Sequence, residues 1–221
     1  MNVRALSAAM AAAISLAAPS VSLAQAPPAA AAPASESCVR IDIPYTQFRL
    51  ANGLNVVLHE DHTVPMVAVD VWYRVGSARE KPGRTGLAHL FEHILFEGSK
   101  HVKTGEFDKL LEAAGGSNNG STTNDRTDYY EVVPSTALEL ALFLESDRMG
   151  YLVDVLSPAR VDQQRDVVKN ERRESFENQP YGIVGLELPG LLFPPGHPYH
   201  WPVIGSMDDL TAASHQDVAD F

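Results

Sequence analysis

The chain has 221 residues, with 17 Lys or Arg against 28 Asp or Glu, 8 His and a single cysteine, and its formal net charge is −11. An acidic balance argues against a nucleic-acid partner and weakly favours cationic peptides. One cysteine excludes an internal disulfide and any zinc site built from several thiolates, so a metal site here must draw on histidine and carboxylate.

The first residues read as a targeting segment. Arg4 supplies a positive n-region, residues 5–18 an apolar stretch rich in Ala, and Ala24-Gln25-Ala26 a small-x-small cleavage site. The expected signal peptide is therefore 1–26. The apolar stretch is too short to span a bilayer, so no stable membrane anchor is expected. Cys38 lies too far from the cleavage site for a lipid-anchored form. Residues 27–45 read as a flexible Pro/Ala-rich leader. Cleavage leaves 195 residues (221 minus 26) with a charge of −12 (16 minus 28). These features predict a periplasmic or secreted protein, with one domain over 46–221.

In chain order, 46–50 and 54–60 are β-rich runs around Ala51-Asn52-Gly53, a hairpin signal. Residues 65–75 alternate and are β-branched, which predicts a third strand. Residues 86–97 carry Leu87, Leu90, Phe91, Ile94 and Leu95 at helical spacing, with Gly98 placed to close the helix. Thr104 is placed to cap a short helix ended by Gly115-Gly116. Two strands follow at 117–123 and 127–133, then a strongly amphipathic helix over 136–151. Ser157-Pro158 has the form of an N-cap with proline at the first helical position, and opens a charged helix reaching about residue 178. A further helix is expected over 182–193, then a proline-rich loop over 194–202, then two short helical starts capped by Ser206 and Ser214. Strands and helices do not alternate strictly. The order predicts an α+β fold, a mainly antiparallel sheet packed with helices on one side.

One constellation carries chemistry. His89-Leu90-Phe91-Glu92-His93 lies inside the predicted helix. Residues four apart on a helix differ by about 40° around its axis, so both imidazoles can reach one ion. Glu92 lies about 60° to the other side of His89, where a general base for water activated by the metal belongs. The bland alternative is two surface histidines and a glutamate in ordinary contacts. A catalytic zinc needs a third ligand and an open fourth position. On the charged helix, Val161, Gln164, Val168, Glu171 and Ser175 form one stripe, and a carboxylate on an apolar stripe needs a partner. Glu171 is the leading candidate, with Asp162, Asp166 and Glu174 behind it, and an exposed Glu171 among arginines the plain alternative. Glu97 is close to His93 but is directed less well.

The run from Thr85 to His93, followed by Phe96-Glu97-Gly98-Ser99, closely resembles the inverted-zincin motif of the pitrilysin/insulinase and mitochondrial-processing-peptidase family. Gly76 to Glu80, Thr122 to Tyr130, Arg165 to Glu171, His197-Pro198-Tyr199 and Gly205-Ser206 continue the resemblance, which spans 46–221. It implies a metallopeptidase half-domain in which one zinc is bound by His89, His93 and Glu171, and Glu92 activates water. It also implies that Asn119, beside Gly120, contacts the backbone of a peptide substrate, although Asn119 lies in a turn-rich run. The family often carries a second glutamate seven residues before the third ligand. Gln164 stands there and would orient by hydrogen bonding without adding charge. Members close a homologous second domain or subunit around the substrate, so a chain ending at Phe221 is expected to be an incomplete catalytic domain.

The expected function is a zinc-dependent endopeptidase acting on peptides or unfolded polypeptides. The alternative is a non-catalytic peptide-binding partner of such a peptidase. S-ribosylhomocysteinase shares an inverted motif but uses a downstream cysteine, and none follows Cys38. Trp72 and Tyr73 are expected to pack within their strand, His197 and His200 within their loop. Ser121 lacks the histidine and acid a serine nucleophile needs.

Overall fold

A computed structural model describes residues 42–221. The expected signal peptide, most of the leader and Cys38 lie outside the described residues. The described residues fall into two units, 42–59 and 60–221.

In the first unit, β1 (Thr46–Arg49) and β2 (Asn55–Leu58) pair antiparallel, Thr46 opposite Leu58. Gly53 adopts φ +93°, and Asn52 Oδ1 accepts from the Leu54 amide, so the turn forms where the Asn-Gly signal stands.

In the second unit, β3 (Met66–Tyr73), β4 (Ser117–Thr122) and β5 (Thr127–Pro134) form an antiparallel sheet in the order β3-β5-β4. The register places Val71 opposite Tyr129 and Gly120 opposite Tyr129. Val67, Val69, Val71 and Tyr73 thus share a face with Tyr129, Glu131 and Val133. Met66, Ala68, Asp70 and Trp72 share the opposite, more exposed face. Trp72 is 61% exposed rather than packed in its strand, because period-two alternation gives it to the open face. Tyr73, one residue on, packs edge-on against Tyr129.

Helices cover the Tyr129 face. Leu90, Ile94 and Leu95 of α1 (Leu87–Leu95) join Tyr129 in one core cluster with Val161 and Val168 of α4 (Pro158–Arg172). Phe107 and Leu111 of α2 (Glu106–Ala113) join Val133, with Ala141 and Leu144 of α3 (Leu138–Tyr151), in a second. Each of the buried Val, Leu, Ile and Phe side chains contributes roughly 1.5–3 kcal/mol by leaving water. The fold is α+β, an antiparallel sheet with helices on one side.

Ser157 caps α4 with Pro158 at its first position, and α4 continues into a π-turn over Arg173–Glu177 before ending at Asn178. Helices α5 (Ile183–Leu192), α6 (Met207–Ala212) and α7 (His215–Asp220) follow, the last two capped by Ser206 and Ser214 as expected. Two expectations change. Gly105, left-handed at φ +71°, precedes α2, and Thr104 Oγ1 instead accepts from Arg160 Nη2 at 3.1 Å. Helix α3 is not simply amphipathic. Its buried residues include Glu145, Asp147 and Arg148, whereas Leu142 and Phe143 are 50% and 46% exposed. The buried charges are tolerated because each is partnered: Asp147 by Ser99 and His101, Arg148 by Glu131 of β5, and Glu145 by Arg148 within the helix. Among the described residues no helix is long and apolar enough to cross a membrane.

Candidate metal centre

Helix α1 carries both histidines, and its start is fixed from outside the helix. Its first orphan amides are met by a carboxylate: Glu80 accepts from Gly86 N at 3.0 Å and from Ala88 N at 2.8 Å. Burial pushes the Glu80 carboxyl up to about 7. Thr85 donates through its amide (3.0 Å) and hydroxyl (2.5 Å) to Asp209 at the start of α6. Gly86 at φ +89° and Gly205 at φ +77° lie against each other. A Cβ on Gly205 would come within 2.5 Å of Gly86 Cα, so the contact admits only glycine there. Gly205 also reaches α4, because its carbonyl accepts from Arg172 Nη1 at 2.7 Å. One loop therefore touches the start of the histidine helix and the residue after Glu171.

His89, His93 and Glu171 converge, each offering one ligand atom, all within 4.8 Å of one another. His93 Nε2 lies 3.2 Å and His89 Nε2 3.8 Å from Glu171 Oε2. That oxygen is buried and no donor meets it in hydrogen-bond geometry, and His89 Nδ1 is likewise buried without a partner. Burial lowers the His89 imidazole to about 4, so it is neutral at physiological pH with a lone pair to give. Nearby His93 holds the Glu171 carboxyl below its usual range against the effect of burial. Two imidazoles and a carboxylate facing one point, all three side chains half-buried, form a donor set that fits zinc with room for an open position. Asp162 is instead paired with Arg165 at 2.8 Å.

Glu92 is buried beside this group and accepts from the Thr122 hydroxyl at the end of β4. Burial raises its carboxyl above the usual range and the Thr122 hydrogen bond partly offsets this. A carboxyl shifted in that direction is better matched to exchanging a proton near neutral pH. Gln164 gives its amide to Glu97 Oε1 at 2.5 Å rather than to any of the three ligand candidates. Glu97 thus stays outside the cluster. Asn119 lies exposed in β4, the edge of the sheet, and its Oδ1 accepts from Gly120 N at 2.8 Å. Ser121 donates to Asp128 at 2.7 Å and faces no histidine. His200 Nδ1 donates to the Phe193 carbonyl at 2.7 Å and His197 stacks on Phe193, so both histidines pack within their loop.

Three contributors escaped sequence reasoning: Thr122, Glu80 and Asp209. Their roles depend on contacts over 30, 6 to 8 and 124 positions. Only Glu80, an acid shortly before a helix start, had a local signal.

A profile of the insulinase family, peptidase family M16, matches residues 55–185. The chain belongs to that family. It is 37% identical over 173 residues to the zinc protease PqqE of Helicobacter pylori, covering 78% of this chain and 38% of the relative. It is 27% identical over 179 residues to the beta subunit of the mitochondrial-processing peptidase of Blastocladiella emersonii, covering 80% and 38%. The crystal structure of a protease from Helicobacter pylori superposes with a TM-score of 0.76 at 35% identity, covering 81% of this chain and 42% of that one. The chain thus spans less than half the length of these family members.

Proposed function

We propose that this chain carries the zinc-binding, water-activating part of an endopeptidase that hydrolyses peptides or unfolded polypeptides. The observation that carries the reading is the convergence of His89, His93 and Glu171 within 4.8 Å, with Glu92 buried beside them. His89, His93 and Glu171 would hold one zinc, which when bound polarises a peptide carbonyl and lowers the pKa of water toward neutrality. Glu92 takes the proton of the attacking water and returns it to the leaving amine, and Thr122 holds the carboxylate in position. The free edge of β4 offers the substrate backbone a strand to join, at Asn119 and Gly120. A peptide pairing there displaces the Asn119 side chain from the Gly120 amide.

Relatives at least twice as long support a homologous second domain or subunit that completes the cleft. The reading also takes 1–26 as a cleaved signal peptide, 27–45 as a leader and 46–221 as the catalytic domain, in the periplasm or outside the cell.

The test is zinc content and hydrolysis of an unstructured peptide by wild type, Glu171→Ala and Glu92→Gln. About one zinc per chain, lost in the first variant and kept without hydrolysis in the second, is the expected result. Folded wild type that takes up no zinc would overturn it. Zinc uptake with peptide binding unaffected by Glu92→Gln and no hydrolysis by the chain joined to its second half would mark a non-catalytic partner.

A further inference from the structure

Beyond the end of β4 lies a second concave site. It is an open depression of about 800 Å³ lined by Trp72, Arg74, Arg79, Asp125, Arg126 and Tyr199 among others. Three guanidiniums gather here in a chain whose acids outnumber its bases by 28 to 17. Their partnerships differ. Arg126 pairs with Asp128, donates to Ser121 at 2.8 Å and lies over the Trp72 ring at 4.8 Å. Asp125 accepts from the Tyr199 hydroxyl at 2.5 Å, and Asp70 from the Trp72 indole at 2.8 Å. Arg74 and Arg79 are exposed, and neither side chain has a hydrogen bond, ion pair or ring contact among the described residues. The neighbouring carboxylates are engaged, and two planar five-donor groups are left facing the cavity. Such groups match the two oxygens of a carboxylate.

The position ties this site to the catalytic centre. The lining residues Asp125 and Arg126 belong to the turn that directly follows β4, whose last residue, Thr122, holds Glu92. The loop after β3, which carries Ala78 and Arg79, is hydrogen-bonded to that turn through Ser77 N to Thr123 O (3.1 Å) and Ala78 N to Asn124 O (2.8 Å). Strand residues advance by about 3.3 Å each, so a peptide on the β4 edge with its reacting carbonyl at Glu92 reaches the cavity within a few residues.

We propose that Arg74 and Arg79 form a carboxylate-recognition subsite that selects peptides with an acidic group a few residues from the bond to be cut. The acid comes from an Asp or Glu side chain or from the free C-terminus, and the exposed Trp72 ring supplies the apolar wall beside it. The inference rests on the peptidase reading and adds the substrate class to it. An acidic protein would otherwise repel such peptides, and these two arginines reverse that locally.

The test is binding, read by fluorescence anisotropy on the mature chain. The probes are labelled decapeptides identical except for Glu or Gln, stepped through the sequence, each with a free or amidated C-terminus. At one or two positions the Glu peptide is expected to bind about tenfold more tightly than its Gln twin, as charge-assisted hydrogen bonds imply. Arg74→Ala/Arg79→Ala should remove that preference and leave Gln-peptide binding unchanged. A preference following only the free C-terminus would assign the subsite to the terminal carboxylate. No preference in wild type, no peptide binding at all, or a preference surviving both substitutions would overturn the subsite. Zinc content and cleavage of the Gln peptide are scored separately, so failure of the subsite and failure of the peptidase reading give different results.

Discussion

Two clusters of ionisable side chains lie under the same sheet and are resolved in opposite ways. In the first, Arg148 is fully buried between Glu131 and Glu145, donating to Glu131 at 2.9 Å and to Glu145, with its guanidinium 4.3 Å from the Tyr129 ring centre. Burial, and then the neighbouring Glu145, push the Glu131 carboxyl up to about 9, so at neutral pH it keeps its proton and Arg148 pairs with Glu145. This cluster contains its own cation. In the second, His89, His93 and Glu171 converge on one point with no cationic side chain bonded among them, and Glu171 Oε2 has no donor in hydrogen-bond geometry. A self-neutralised cluster specifies packing, and a converging cluster without its own cation has the form of a ligand site.

Substitutions should separate the two. The largest effect is expected from Glu92→Gln, which should lower the rate of peptide hydrolysis about 10²–10⁴-fold while leaving the urea-unfolding midpoint unchanged. Arg148→Ala should do the reverse. It strands two buried acids and should destabilise the fold by about 3–5 kcal/mol in urea unfolding. Replacing Glu131, Glu145 and Arg148 together by Leu, Leu and Met should recover most of that loss, and failure to recover would mean that the cluster does more than fill space. Zinc at a hundredfold excess over its Kd should raise wild-type stability by about 2.7 kcal/mol and leave Glu171→Ala unmoved, as calorimetry can check.

The pH dependence sharpens the contrast further. The folded chain binds the Glu131 proton more tightly than the unfolded chain does. Its contribution is therefore complete below the ordinary carboxylate range and is lost as pH rises toward about 9. Wild type should accordingly lose stability between pH 6 and 8.5, and Glu131→Gln should show a shallower slope in urea midpoints. The smallest effect, about 1 kcal/mol, is expected for Gln164→Ala, which removes one hydrogen bond to Glu97.

Much of this architecture was readable one element at a time. Asn52-Gly53, Ser157-Pro158, Ser206 and Ser214 each specify a local backbone conformation with their own atoms, and each turn or cap stands where the sequence puts it. His89 and His93 were legible for the same reason, since helix geometry alone aligns residues four apart. Thr104 misled because a hydroxyl that can cap a helix can equally accept from Arg160, 56 positions away. Helix α3 misled because burial of Glu145 and Arg148 depends on Glu131, which lies on a strand.

The sequence by itself determined the periodicities, the turn chemistry and the pair of histidines, because those depend on covalent neighbours within a helical turn or a tight bend. Only the tertiary structure decided which carboxylate meets them. Asp162 and Glu171 are both acids on the helix Pro158–Arg172. Val161 and Val168 seat that helix on Leu90 and Ile94, and this docking turns Glu171 toward the imidazoles and leaves Asp162 to Arg165. It is likewise the docking of the loop after β3 onto the turn after β4 that gathers Arg79 and Arg126 around one cavity. Apolar burial selects such contacts between distant segments, and no local pattern encodes them.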